Sequence, residues 1–167
     1  MVVPVGCTPN SSTPPVSSPT ASAAAAGLHC QGGDHSLDVA QLGWGFCYPA
    51  DWRFRERDVS TTTPAGVDTT LDIVGDQGLF GFMIIGSYDR HGAASLHEWL
   101  AANEPDDQAA TSIQWGNAVE AVQVTGQLKR YAMTKSRVYL LNEREGAGNL
   151  DLEAEMAKRL GNWYFSF

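Results

Sequence analysis

The chain has 167 residues, with 11 Lys and Arg against 19 Asp and Glu, so its formal net charge is −8 at pH 7. This acidic balance argues against a nucleic-acid-binding protein, because neutralising phosphates requires clustered Lys and Arg. No apolar run approaches the roughly 18 residues that a membrane-spanning helix needs. The composition also excludes collagen-like and wholly disordered chains, and the length predicts one globular unit with a tail.

The first 27 residues predict a lipid-attached tether. Residues 1–7 read MVVPVGC, which is similar to the end of a bacterial lipoprotein signal, where a small residue precedes the cysteine that receives lipid. The basic and long apolar parts of such a signal are absent, so the alternatives are a truncated start and a chance apolar N-terminus. Residues 8–27 contain no charged or aromatic side chain, and ordering them would cost backbone entropy without burying apolar surface. We therefore expect lipid on Cys7, followed by a disordered tether.

Two further cysteines remain for the domain that follows. Cys30 stands at its start, and Cys47 lies inside an alternating aromatic segment. In an exported protein the simplest expectation is a disulfide between them, which would close a loop of about 18 residues and stabilise the fold by roughly 3 kcal/mol. Two free thiols are one alternative. A metal held by His29, Cys30 and His35 is another, although a single Cys with two His is an incomplete ligand set.

Residues 28–167 form one predicted domain in which strands dominate. Aromatic residues alternate with small ones at 44–48, and the nearly continuous apolar run at 79–85 predicts a central strand covered on both faces. The other predicted strands are at residues 53–55, 69–74, 119–125, 128–133, 138–142 and 163–167.

Two helices are predicted between these strands. The first begins at Ser95, which forms a capping box with Glu98. The second spans about residues 150–160, with an apolar stripe at Leu152 and Met156 and a plausible end at Gly161. Because the strands are joined by local hairpins, a doubly wound parallel sheet is excluded. The prediction is an α+β fold, with a largely antiparallel sheet of about six or seven strands flanked by helices.

Three segments carry a family resemblance. FCYPADW at residues 46–52 resembles the F-x-Y-P-x-x-W opening of PsbP-like and Mog-type proteins. SLHEWLAAN at 95–103 and WYFSF at 163–167 are similar to the family's middle helix and closing strand. The resemblance implies an antiparallel sheet flanked by helices and a binding role without catalysis, since PsbP assists the oxygen-evolving complex, Mog-type proteins bind the Ran GTPase and other relatives are envelope lipoproteins. It carries no functional residue over to this chain.

The candidates for catalysis are isolated residues. His91 lies in a predicted turn, and His97 begins an H-E-x-x-H pattern in which Ala101 replaces the second ligand. Either histidine would need a partnered nucleophile or carboxylate to act as a base. Glu143 and Glu145 could share a strand face as paired glycosidase carboxylates do, but the Gly-Ala-Gly that follows favours a solvated turn.

The acidic run at residues 104–107 likewise favours a solvated loop over a calcium site. The tryptophans Trp44, Trp99, Trp115 and Trp163 are expected in the core and not around a cofactor.

Arg53, Arg55 and Arg57 recur with period two, so one face of a strand would present three guanidinium groups. They are candidates for contact with lipid phosphates or an acidic partner. The alternative is an edge strand that its charges protect from aggregation.

Taken together, these observations predict a non-catalytic binding or scaffolding module of the bacterial cell envelope. We expect it to be monomeric, lipid-anchored or secreted, to contact an envelope protein or lipid, and to bind no metal, cofactor or nucleic acid. The alternative is a small hydrolase that uses His91 or His97 as its base.

Overall fold

A computed structural model describes residues 28–62, 66–75, 78–145 and 150–167, and within them the side chains of 28–54, 81–144 and 150–167. Ten strands and two α-helices lie in these ranges. The strands are β1 His35–Val39, β2 Trp44–Tyr48, β3 Arg53–Thr62, β4 Gly66–Gly75, β5 Gly78–Asp89, β6 Ala110–Ser112, β7 Glu120–Val124, β8 Lys129–Met133, β9 Arg137–Glu145 and β10 Trp163–Phe165. The helices are α1 Leu96–Asn103 and α2 Leu152–Arg159, and 3₁₀ turns occupy Pro105–Asp107 and Leu160–Asn162.

The strands form two antiparallel sheets. The large sheet has the order β3-β4-β5-β9-β8-β7-β6, and the small sheet has the order β1-β2-β10. Successive residues of a strand point to opposite faces, so the large sheet supports a core on each side. On one face Ala132, Tyr139 and Leu141 pack with the small sheet and α2. On the other face Tyr131, Met133 and Val138 pack against α1.

Aromatic residues at alternate positions hold the small sheet against the large one. Phe46 of β2 stacks on Trp163 of β10, with ring centroids 4.4 Å apart. Phe165, the next residue on that face of β10, stacks on Tyr139 of the large sheet at 4.6 Å. Large aromatic side chains remove much apolar surface from water at such a junction, and their stacking adds specific geometry. The two sheets therefore share one core.

Both helices begin with a side-chain cap. Ser95 Oγ accepts a hydrogen bond from the backbone N–H of Glu98, as the capping box predicts, while the Glu98 carboxylate accepts from the N–H of Ala94, one residue before the cap. Asp151 caps α2 by accepting from the N–H of Ala154 at 2.9 Å. Each helix has eight residues, and no helix in the described ranges is long and apolar enough to cross a membrane.

The structure confirms an α+β fold that is mostly antiparallel sheet, and it corrects the strand count. In place of one sheet of six or seven strands, ten described strands divide between two sheets, with one short helix on each side of the large sheet. The two strands that the sequence did not predict, β1 and β6, are short and polar. Strand β9 runs to Glu145, three residues beyond its predicted end, and replaces the predicted turn.

Candidate functional site

The predicted cysteine pair is confirmed. Cys30 and Cys47 form a disulfide, with Cα atoms 5.4 Å apart. The bond links the segment before β1 to β2. It also leaves Cys30 without the free thiol that a metal site with His29 and His35 would need. No group of three possible ligands from His, Cys, Asp and Glu lies together within the described ranges. Cys7 and the predicted tether lie outside the described residues.

The three arginines lie on β3, at one edge of the large sheet. Arg53 pairs with Val74 and Arg55 with Asp72, so these two residues share a face of the sheet. The register shifts between Glu56 and Val59, which interrupts the period-two pattern at Arg57. The side chain of Arg53 is exposed, and those of Arg55 and Arg57 lie outside the part that the structure describes.

The two candidate histidines are exposed on the side of the sheet that carries α1. His91 adopts a positive φ of 51° in the turn after β5, where its backbone N–H donates to the Asp89 carboxylate at 2.7 Å. Its Nδ1 lies 3.8 Å from the same carboxylate, and half of each of the two side chains is exposed. His97 lies on the solvent-exposed side of α1. In the described ranges no hydrogen bond joins either histidine to a serine hydroxyl, and the carboxylate near His91 is itself exposed in the same turn.

Glu143 was expected in a solvated turn, and this expectation is wrong. It lies on β9 with no exposed surface and forms an ion pair with Arg130, which is 2% exposed. Burial raises the pKa of Glu143 to about 7, because the loss of hydration outweighs the attraction of the Arg130 guanidinium. The second carboxylate oxygen of Glu143 has no hydrogen-bond partner. Arg130 also lies 3.7 Å from the carboxylate of Glu153 on α2, so the cluster secures α2 to the sheet.

Asp107 was also expected in a solvated loop, but it is 1% exposed. Its carboxylate accepts hydrogen bonds from Lys129 at 2.8 Å, from Tyr131 at 2.7 Å and from Gln127 at 3.2 Å. Burial favours the neutral acid, but these donors together outweigh it and hold the pKa of Asp107 below its ordinary value. The network attaches the 3₁₀ turn after α1 to β8, and all of its hydrogen bonds serve the fold.

A large cleft lies at the β6–β7 connection. It has a volume of about 540 Å³ and is lined by residues 112–116, residues 118–122 and Gly161. A second cleft of about 220 Å³ lies on the other side of Val119, between Asn117, Lys135 and Phe167. Val119 lines both clefts and is 63% exposed, and Phe167 is 47% exposed. These two are the exposed large hydrophobic residues of the described side chains. Both residues line the second cleft, so their exposed apolar surface lies in one concave place, which makes this region a candidate binding site.

The wall of the large cleft is fixed by contacts with the C-terminal segment. The N–H of Gly116 donates to the carbonyl of Leu160 at 2.8 Å. The amide side chain of Asn117 donates to the carbonyl of Phe165 at 2.9 Å and accepts from its N–H at 2.8 Å, as a neighbouring strand would. Trp115 is buried against Trp163, with ring centroids 5.2 Å apart. The cleft is therefore preformed and needs little ordering when a ligand binds.

Gly116 shows why the connection takes this path. Its φ is +52°, a left-handed conformation that glycine adopts most readily, and a Cβ atom there would collide with the carbonyl oxygen of Trp163. Sequence reasoning identified neither this residue nor the cleft. The available signal was the dipeptide Trp115-Gly116 between two strand-like segments, which is typical of a tight connection but does not reveal its distant partner.

Comparison with protein-family models, with curated proteins and with solved structures finds no match for this chain. The resemblance to PsbP-like and Mog-type proteins consequently remains an expectation from the sequence.

Proposed function

We propose that this protein is a non-catalytic binding module of the bacterial cell envelope, attached through lipid on Cys7, and that it contacts a protein partner at the clefts beside Val119. The observation that carries the proposal is the preformed 540 Å³ cleft with an exposed apolar residue at its rim. Preformed concave surfaces with a few polar groups are the usual form of binding sites.

The chemistry of the cleft favours recognition of a largely uncharged partner surface. Ile113 and Val122 supply half-buried apolar walls, and Ser112 and Gln114 supply exposed polar groups. Glu120 is the charged residue of the lining, and its carboxylate already accepts a hydrogen bond from the N–H of Leu96 at 2.9 Å. A partner would therefore bind this surface mainly through apolar contacts and hydrogen bonds, and less through charge.

The cellular location is proposed from the sequence and supported by the disulfide. Disulfides persist in oxidising compartments such as the periplasm and the cell surface, and the Cys30–Cys47 bond is compatible with export. Expressed with a full signal sequence, the protein should partition into detergent, and Cys7→Ser should remove that behaviour. Equal solubility of the two forms would contradict the lipid anchor.

The binding role is tested by placing a charge at the rim of the cleft. Val119→Arg should lose the partner that the wild-type protein captures from envelope extracts, because a guanidinium would have to be desolvated against an apolar surface. Ala101→Arg is the matched control, since Ala101 is exposed on α1 and does not line the cleft. Both variants should unfold at the wild-type temperature. Equal capture by the two variants would contradict a binding role for the cleft.

A lipid partner held by the arginines predicts a different result. Binding to vesicles containing acidic lipid should then weaken with salt and be lost when Arg53, Arg55 and Arg57 are all replaced by Gln. Val119→Arg should leave that binding intact, so the two sites are distinguished by one pair of variants.

A further inference from the structure

At the outer edge of β6, main-chain groups beside the large cleft have no hydrogen-bond partner among the residues that the structure describes. Strand β6 ends the large sheet and is bonded only to β7 among the described strands. The N–H of Ile113 donates to the carbonyl of Ala121, and the N–H of Thr125 donates to the carbonyl of Ala109. In an antiparallel pair the bonded residues alternate, so Ala109, Thr111 and Ile113 turn their main-chain groups towards β7. The N–H and C=O groups of Ala110 and Ser112 consequently point away from the sheet.

The two edges of the large sheet differ in their protection. At the opposite edge, the sequence of β3 is RFRERDVSTT, with five charged residues in its first six positions. Charges of this kind keep other strands from pairing with an edge. The sequence of β6 is ATS, with neither charge nor proline. A strand of three residues can form few main-chain hydrogen bonds with a partner. The edge continues into residues 112–114, however, which line the cleft.

We propose that the partner binds as an extended peptide segment that adds a strand to the outer edge of β6 and places one apolar side chain in the cleft beside Val119. This inference rests on the proposed binding function and specifies how the same site recognises its partner. The main-chain groups of Ala110 and Ser112 supply the hydrogen bonds, and the cleft supplies selectivity for a side chain, which is the usual division of roles in strand addition.

An extended peptide is the occupant that this edge favours. Only a strand offers N–H and C=O groups at the spacing that the outward groups of Ala110 and Ser112 require. The exposed side chains of Thr111 and Ser112 are small and uncharged, so a second backbone can approach without displacing an ion pair. A lipid headgroup or a charged ligand would leave the N–H groups of this edge without a periodic set of acceptors.

The test removes one outward N–H and leaves the fold intact. Ser112→Pro deletes the N–H that faces away from β7, a place where strands tolerate proline, and the preceding Thr111 is already extended, as proline requires. Ser112→Ala is the matched control because it removes the hydroxyl and keeps the N–H. The probe is a displayed library of random linear peptides of about ten residues, long enough at ~3.3 Å per residue to span the edge and the cleft.

Peptides enriched on the wild-type protein should bind Ser112→Pro at least about tenfold more weakly (about 1.4 kcal/mol) than they bind Ser112→Ala, which reports the contribution of the hydroxyl alone. Failure to enrich any peptide, or equal binding to the two variants, would overturn the inference. So would a dimer of the wild-type protein that Ser112→Pro dissociates, because the occupant of the edge would then be a second copy of the chain.

A second measurement avoids any dependence on how the variant folds. Methylating the amides of an enriched peptide one at a time should weaken binding to the wild-type protein at every second residue only, since alternate amides of an added strand face the sheet. A pattern without this period would overturn strand addition. If Val119→Arg loses the native partner and Ser112→Pro retains it, the proposed function stands and this inference fails.

Discussion

The buried ion pair between Glu143 and Arg130 predicts an unusual dependence of stability on pH. The pKa of Glu143 is raised from 4.5 to about 7, chiefly by burial. The folded protein therefore binds a proton more tightly than the unfolded chain does. Between these two values the folded state holds more protons, so its stability decreases as the pH rises. One pKa unit corresponds to 1.36 kcal/mol, and the whole rise corresponds to a loss of ~3 kcal/mol between pH 4.5 and 8.

The variant that tests this reasoning is Glu143→Gln, which cannot titrate. We expect to measure urea unfolding by tryptophan fluorescence at several pH values. The free energy of unfolding should decrease with rising pH for the wild-type protein and stay nearly constant for the variant. Arg130 keeps the Glu153 carboxylate 3.7 Å away as a partner in that variant. Because the neutral amide does not carry the cost of the buried charge, Glu143→Gln should be at least as stable as the wild-type protein at pH 8.

Glu153→Gln is the control for this experiment. Glu153 is 45% exposed, and its charge contributes to raising the pKa of Glu143. In this variant the free energy of unfolding should still decrease with pH, but the midpoint of the decrease should lie at a lower pH. If Glu143→Gln shows the same decline as the wild-type protein, or if the wild-type stability increases from pH 5 to 8, the assignment of the pH dependence to Glu143 is refuted.

Three further predictions follow from the contacts. Replacing Cys30 and Cys47 together by Ala should lower the free energy of unfolding by about 3 kcal/mol, and reductant should then leave the variant's melting temperature unchanged while lowering that of the wild-type protein. Asp107→Ala should cost about 2 kcal/mol or more in urea unfolding, because Tyr131 and Lys129 lose a buried acceptor, and a loss below 0.5 kcal/mol would contradict this. Gly116→Ala should cost about 2 kcal/mol and abolish partner capture, whereas Gly126→Ala, also at positive φ but facing open space, should cost about 1 kcal/mol and retain capture.

The sequence predicted the structure of a segment correctly where the segment's own residues determine that structure. The alternation of Trp44, Phe46 and Tyr48 predicted β2 with its observed bounds, and Ser95 with Glu98 predicted the start of α1. The disulfide was predictable because few cysteines remained to pair. In each case the informative residues lie within a few positions of one another or have few competing partners.

The sequence did not predict the structure of segments that depend on partners distant along the chain. Strand β6 is a strand because β7 pairs with it, and its three residues carry no periodic signal. Glu143 lies two residues beyond Leu141, the last apolar residue of β9, and its burial arises from Arg130 and α2. Asp107 is buried by donors on β8 and the turn before it. The cleft depends in the same way on bonds from Gly116 and Asn117 to the C-terminal segment.

The most direct test of partner binding at the β6 edge is amide hydrogen exchange at Ser112, measured by NMR with and without an enriched peptide. In the free protein the N–H of Ser112 faces away from β7 and should exchange rapidly, whereas that of Thr111 is bonded within the sheet. Adding the peptide should slow exchange at Ser112 at least about tenfold, in line with a loss of about 1.4 kcal/mol when that bond is removed, and leave Thr111 nearly unchanged. Unchanged exchange at Ser112 in a saturated complex would contradict binding at this edge.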